Sequence, residues 1–219
     1  MIKDKKLKLT FAVFGISLFL IWAVLEMLII PLLETNMTDI YIQVIKEIVL
    51  KILIWLIPAI ILVKKLDEKM YIKSSEFFKF RPEFLKFIPI FLLFTAFHLI
   101  SDYVQEGKIS ISETFSIADI LIACSVGISE EMVFRGFLLN STYKDDKKAI
   151  SVGFNAFLFL AIHFPVWIRT DMFMLYITSG SFIQIMVLSV IFSYAFIKSR
   201  SIVVPAFLHM YWDFLCFLL

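Results

Sequence analysis

The sequence predicts an all-α fold: a polytopic membrane bundle of about seven transmembrane helices. Three observations predict it. The chain is 61% hydrophobic and 18% charged over 219 residues, where globular domains run at about 45–50% apolar and 25% charged. Its mean hydropathy is +0.91. Long apolar runs alternate with short polar connections, and lysine and arginine concentrate in every second connection. The whole of 1–219 is expected to be a single membrane domain, with spans one to three in 1–114 and four to seven in 115–219.

The first span is Leu9–Leu33, behind Lys3, Lys5, Lys6 and Lys8 and broken only by Glu26. Its apolar part exceeds a signal-peptide core and no A-x-A site follows, so it is expected to be retained. Ile40–Val63 is the second span. Glu47 and Lys51 lie at i,i+4 near its start and are expected to form an ordinary interfacial pair. The basic connection 64–86 follows, with Lys64, Lys65, Lys69, Lys73, Lys79, Arg81 and Lys86. Its part Glu76–Phe87 mixes phenylalanine with cations and is expected to lie on the inner leaflet.

The third span is Phe87–Ile100 and the fourth Phe115–Asn140. A charged turn at Tyr143–Lys148 leads to the fifth, Ala149–Val166. The sixth is Phe173–Ile197 and the seventh Ile202–Leu219. The positive-inside rule places the N-terminus in the cytoplasm and the C-terminus outside. Cys124 and Cys216 fall in apolar runs and read as small buried hydrophobes. No basic stripe lies outside the loops, so no nucleic acid is expected as a partner.

The polar residues at span depth carry the chemistry. Ser129-Glu130-Glu131-Met132-Val133-Phe134-Arg135 puts three charges into a spanning helix, and each charge there costs at least a few kcal/mol. Glu131 and Arg135 share a helix face and are expected to pair. Glu130 points about 100° away and is left for other work. His209 and Asp213 share a face of the seventh span, and His163 ends the fifth. His98 stands alone and reads as an ordinary interhelical hydrogen bond. Counted at about 1.5 Å per residue, Glu130, Glu131 and His209 lie roughly 11–15 Å from the cytoplasmic ends, and His163 roughly 20 Å. The site is therefore expected in the cytoplasmic half.

Two chemistries need such a set. A carboxylate and a histidine can activate water against an amide carbonyl, with His209 and its neighbour one turn on meeting the oxyanion. Alternatively, Glu130, His163, His209 and Asp213 bind Zn²⁺ and the metal activates the water. The HExxH signature is absent, and the metal-free version, with no cofactor, is preferred.

Three motifs carry a resemblance. Glu130-Glu131-Met132-Val133-Phe134-Arg135 resembles the EExxxR motif of the CPBP family, the CAAX proteases and bacteriocin-processing or immunity proteins also called Abi. Phe159-Leu160-Ala161-Ile162-His163 resembles its FxxxH motif, and His209-Met210-Tyr211-Trp212-Asp213 its HxxxN/D motif. The resemblance implies an intramembrane endopeptidase with its catalytic core in 115–219. It implies that Glu130 is the water-activating base assisted by His163, that Glu131 and Arg135 shape the site, and that His209 and residue 213 form the oxyanion hole. Asparagine is usual at that last position, and Asp213 donates a hydrogen bond only when protonated.

The expected setting is a bacterial cell membrane, with the lipid bilayer and a membrane-borne peptide or protein substrate as partners. Bacteriocin or peptide maturation, or self-immunity, is the expected role. The alternative is a non-catalytic immunity protein, or a partner of a sensor kinase or bacteriocin component, whose motif is a structural core. A proton-coupled transporter lacks support, since no two hydropathy halves carry matching broken helices.

Overall fold

The computed structural model describes residues 2, 4–79 and 82–219. Met1, Phe80 and the basic Lys3 and Arg81 named above lie outside the described residues. All regular elements among the described residues are helical, and no strand occurs among them.

Helix α1 runs over Lys5–Glu34. Asp4 caps it by accepting from the Leu7 amide at 2.7 Å, and its other oxygen accepts from Lys69 Nζ at 2.7 Å. The Lys69 hydrogen bond holds the Asp4 carboxyl below its ordinary value of 3.8. Helix α2 covers 39–65 without interruption. Helix α3 is Ile88–Glu106, stopped by Gly107 at φ 72°. Helix α4 covers 117–142 and opens on a Ser116–Asp119 capping box. Helix α5, Asp145–Arg169, loosens at Ile162 and His163 ahead of Pro165. Short α6 is Phe173–Thr178, α7 is Ser181–Ser199 and α8 is Val203–Leu218.

The sixth span expected at Phe173–Ile197 is therefore two helices. Gly180, at φ 78°, turns the chain between α6 and α7 in a conformation that favours glycine. Among the described residues, four helices are long and apolar enough to cross a membrane: Lys5–Glu34, Phe84–Glu106, Asp145–Arg169 and Ser181–Ser199. Helices α2 and α4 match them in length and bury Lys51, Glu130, Glu131 and Arg135. Helix α8, with 16 residues, is shorter than the roughly 20 a span needs. Exposed apolar side chains such as Leu9, Val13, Leu20, Leu92, Leu93, Ile183 and Val187 belt the outside, as a lipid-facing bundle requires.

In three stretches the helical ladder widens to i→i+5 bonding: Leu25–Ile29, Ile45–Leu56 and Met132–Leu139. Wide turns of this kind gather at functional positions. These three hold the buried charges Glu26, Lys51 and Arg135.

One apolar core joins α1, α2, α4 and α5, and a second joins α3, α7 and α8. The seam between α4 and α8 is tight. A Cβ at Gly127 would lie 2.6 Å from Met210 Cγ and 2.9 Å from its backbone nitrogen, so only glycine lets α8 approach this closely. That approach brings His209 against the carboxylates of α4.

The two ends of the bundle differ. The basic connection 64–86 partly folds inward: Leu66, Met70, Ile72 and Phe77 are buried, and only Phe77 belongs to the part expected on the leaflet. Asn140 clamps it, accepting from the Ile72 amide at 2.7 Å and donating to the Ile72 carbonyl at 2.8 Å. The Ser201 hydroxyl and the Ile202 amide both donate to the Phe77 carbonyl. Buried backbone needs such partners, and here they make the segment a plug. Phe78 and Leu85 stay exposed beyond it. At the opposite end, the 107–116 connection is tied to α8 by the Ser112 amide donating to the Leu218 carbonyl at 2.8 Å.

Candidate active site

The site is built on the turn of α4 that carries Glu130, Glu131 and Arg135. The i,i+4 pair forms as its spacing predicts: Arg135 Nη1 donates to Glu131 Oε1 at 2.7 Å, and both residues are fully buried. A buried pair needs further hydrogen bonds to offset desolvation. Arg135 Nη2 finds them at Ser189 on α7, donating to its hydroxyl at 2.8 Å and its carbonyl at 3.0 Å. The guanidinium also lies 4.5 Å from the Phe159 ring centroid and 5.3 Å from that of Phe192.

His209 arrives from α8. Its Nδ1 lies 2.9 Å from Glu131 Oε1, a contact in which the ring donates to the carboxylate. Its Nε2 is 3.9 Å from Glu130 Oε2 and 3.7 Å from Asp213 Oδ2. Both ring nitrogens thus face carboxylate oxygens. The Phe192 ring stacks on the imidazole at 4.8 Å. His163, at the loosened turn of α5, donates from Nδ1 to the Phe159 carbonyl at 2.7 Å. That bond leaves Nε2 with its lone pair, the tautomer a proton acceptor needs.

Glu130 does not carry the unspent charge that spacing on α4 alone suggests. Lys51 Nζ, from α2, donates to Glu130 Oε1 at 2.6 Å. The same ammonium lies 2.6 Å from Glu47 Oε2, so the expected i,i+4 pair exists, but Lys51 is 4% exposed and bridges two helices. It also sits over the indoles of Trp55 and Trp22, at 5.2 and 5.7 Å. Oε1 of Glu130 is anchored, and Oε2 is the oxygen left free of the lysine.

Sequence reasoning passed over Lys51 because its pair with Glu47 explained it locally. The signal was its depth. Twelve residues past Asp39 puts it roughly 18 Å along the helix, too far in for an interfacial lysine. Glu26 was likewise left without a partner. It is 1% exposed and meets Lys46 at 3.2 Å and Arg169 at 3.0 Å, while Arg169 also reaches Glu34 at 2.6 Å. A ladder of charges therefore runs from Glu130 through Lys51, Glu47, Lys46, Glu26 and Arg169 to Glu34.

Glu130, His163 and Asp213 line one cavity of about 340 Å³ together with Lys51, Glu47, Lys46 and Glu26. It lies in the half of the bundle nearest the 35–38 loop and the end of α8.

Among the described residues no three His, Cys, Asp or Glu side chains are arranged to hold a metal ion. Of the four expected ligands, Glu130 gives Oε1 to the Lys51 ammonium, and His209 Nε2 lies 3.9 Å from Glu130 Oε2 and 3.7 Å from Asp213 Oδ2. His98 contacts Trp212 and lies 3.9 Å from Cys216, apart from this cavity. Both cysteines are exposed, against the buried expectation, and Cys216 lines a polar cavity with His98, Asp102 and Lys108.

Residues 112–215 match the family model of the Rce1-like type II CAAX prenyl endopeptidases. The matched segment contains all three motifs and every site residue contributed by α4, α5 and α8, while Lys51 and the ladder on α1 and α2 lie before it. Searches among curated proteins and among solved structures found no match.

Proposed function

We propose that this protein is an intramembrane endopeptidase, taking as premise the Rce1-like match across 112–215. The observation that carries the proposal is the division of labour on Glu130: Oε1 is held by Lys51 at 2.6 Å, and Oε2 is free beside His209 in a cavity shared with His163. In this mechanism Glu130 Oε2, assisted by His163 Nε2, takes a proton from water as the water oxygen attacks the carbonyl carbon. His209, protonated between Glu131 and two further carboxylates, meets the oxyanion through Nε2. The C–N bond then breaks, and the leaving amine takes the proton held by Glu130. Asp213 orients the His209 ring in place of an asparagine donor. Lys51 positions the base.

In the cell the reading is that of a multi-pass protein with about seven membrane helices, α2, α4 and α8 counted with the four long apolar ones. Its substrate is a peptide or protein precursor in a bacterial membrane, in bacteriocin or peptide maturation or self-immunity. The test compares the peptide termini of cells carrying wild type, Glu130→Gln, His163→Ala and His209→Ala, at matched expression. Termini present with wild type are expected to fall about 10²–10⁴-fold in the variants, the usual worth of a general base. Identical termini in all four overturn the proposal.

One observation supports a second reading: the charges of Glu131, Arg135, Lys51 and Glu130 are all paired, as in a structural core. Full biological rescue by Glu130→Gln would favour that non-catalytic role.

A further inference from the structure

The cavity over Glu130 is open toward one end of the bundle and sealed toward the other. Along α2, Gln43 is exposed at the cavity edge, the Lys46 and Glu47 side chains are 13% and 17% exposed, and Lys51 is 5% exposed. That gradient runs from the 35–38 loop inward. The remaining lining residues agree, since Val166 and Phe217 stand within one turn of the ends of α5 and α8 at that same face. In the other direction, every residue of α4 from Glu131 to Thr142 is buried. The plug at Ile72 and Phe77 closes the bundle beneath them.

The sealed end is the basic one. It carries Lys5, Lys6 and Lys8, Lys64, Lys65, Lys69, Lys73, Lys79 and Lys86, Lys144, Lys147 and Lys148, and Lys198 and Arg200. The loops at the open end hold only Lys108 and Arg169. A bias of this size sets orientation, with the basic end in the cytoplasm.

We infer that the site is entered from the extracytoplasmic side of the membrane, and that its guest is a polypeptide strand presented there. The lining identifies the guest's chemistry. Glu26, Lys46 and Glu47 alternate in sign around the entry, which suits a polar peptide and not a hydrocarbon chain. Deeper in, Trp55 lines the cavity, is 1% exposed, and its indole N–H has no hydrogen-bond partner. A peptide carbonyl would satisfy that donor. The guest's identity rests on the peptidase reading, whereas the direction of access does not.

The experiment uses the full chain in its own membrane, with Cys124 and Cys216 replaced by alanine. Single cysteines are introduced at the cavity edge, Gln43→Cys, and at the basic end, Lys147→Cys. Intact cells are treated with a sulfonated, membrane-impermeant maleimide, before and after permeabilisation. Gln43→Cys is expected to label in intact cells and Lys147→Cys only after permeabilisation. The reverse pattern overturns the inference. Where Gln43→Cys does not accumulate, Phe217→Cys replaces it, with the same expectation. Labelling is read without activity, so a failed direction and a failed peptidase reading are distinguishable. In cells that show wild-type cleavage, labelled Gln43→Cys is expected to lose at least about tenfold of it, because the adduct stands in the entry. Unchanged cleavage after complete labelling overturns the route.

Discussion

The two sides of the cavity are built differently. The side contributed by α4 and α8, backed by α7, is closed: Arg135 is fully buried, packed against Phe159 and Phe192 and tied to Glu131 and Ser189, and His209 locks onto the same carboxylate. The side contributed by α1 and α2 is graded: its charges run from fully buried Glu26 and Lys51 to part-exposed Lys46 and Glu47. The closed side is also the one covered by the family match. The proposed peptidase site draws on both kinds of wall. A fixed wall holds the reacting groups within the small tolerance that catalysis allows. A graded polar wall admits water and a peptide without leaving a lone charge in the bilayer.

The comparison breaks most sharply at Arg135. Arg135→Met leaves Glu131 as an uncompensated buried charge, and losses of roughly 3–5 kcal/mol are expected for such a cut. Thermal unfolding of the purified protein in detergent should show it, whereas Lys46→Met on the graded wall should unfold near wild type. Equal losses from the two variants would erase the distinction between the walls.

Lys51 is where the walls meet. Lys51→Met is expected to lower cleavage by about 10²-fold, since Glu130 loses the contact that orients it. Lys51→Arg should recover part of the rate, because a cation still reaches Glu47 and Glu130, and substrate KM should change little in either. Cleavage by Lys51→Met at the wild-type rate would confine the chemistry to the matched segment.

A smaller effect is expected at the seam. Gly127→Ala introduces a Cβ 2.9 Å from the Met210 backbone nitrogen, so α8 must shift. Overpacking of this kind costs about 1–3 kcal/mol. Lower thermal stability together with slower cleavage would show that the α4–α8 approach sets the His209 position. Stability lost without any change in rate would assign the seam to the fold alone.

The smallest effect lies outside the cavity, at Asp4. Its hydrogen bond from Lys69 lowers the folded carboxyl's pKa, so the stability it adds is present above the ordinary value of 3.8. That contribution is lost as pH falls through the lowered value. Asp4→Asn keeps a good helix cap and removes the charge. The stability gap between wild type and variant should therefore be present at neutral pH and close in acid. A gap that persists in acid would assign the effect to capping.

Much of this was legible in the sequence. Apolar runs marked α1, α3, α5, α7 and α8, and the spacing of Glu131 and Arg135 named their pair. His163, His209 and Asp213 were picked out by charge at depth, and the structure brings His209 and Asp213 around Glu130 and lines the cavity with His163. The break at Gly180 was hidden, because Phe173–Ile197 is apolar on both sides of it. The plug was hidden because Ile72 and Phe77 sit among lysines, where composition suggests a surface.

By itself the sequence determined the helices, the i,i+4 pairs and the charge bias between the two ends. These depend on helix geometry and on transfer into lipid, and both act over a few residues. Only the tertiary structure decided what meets Glu130. Its partner Lys51 lies 79 positions earlier, on a helix whose rotation and depth are set by packing. The direction in which the cavity opens was decided the same way, by a plug that hydrogen bonds from Asn140 and Ser201 fold into the bundle.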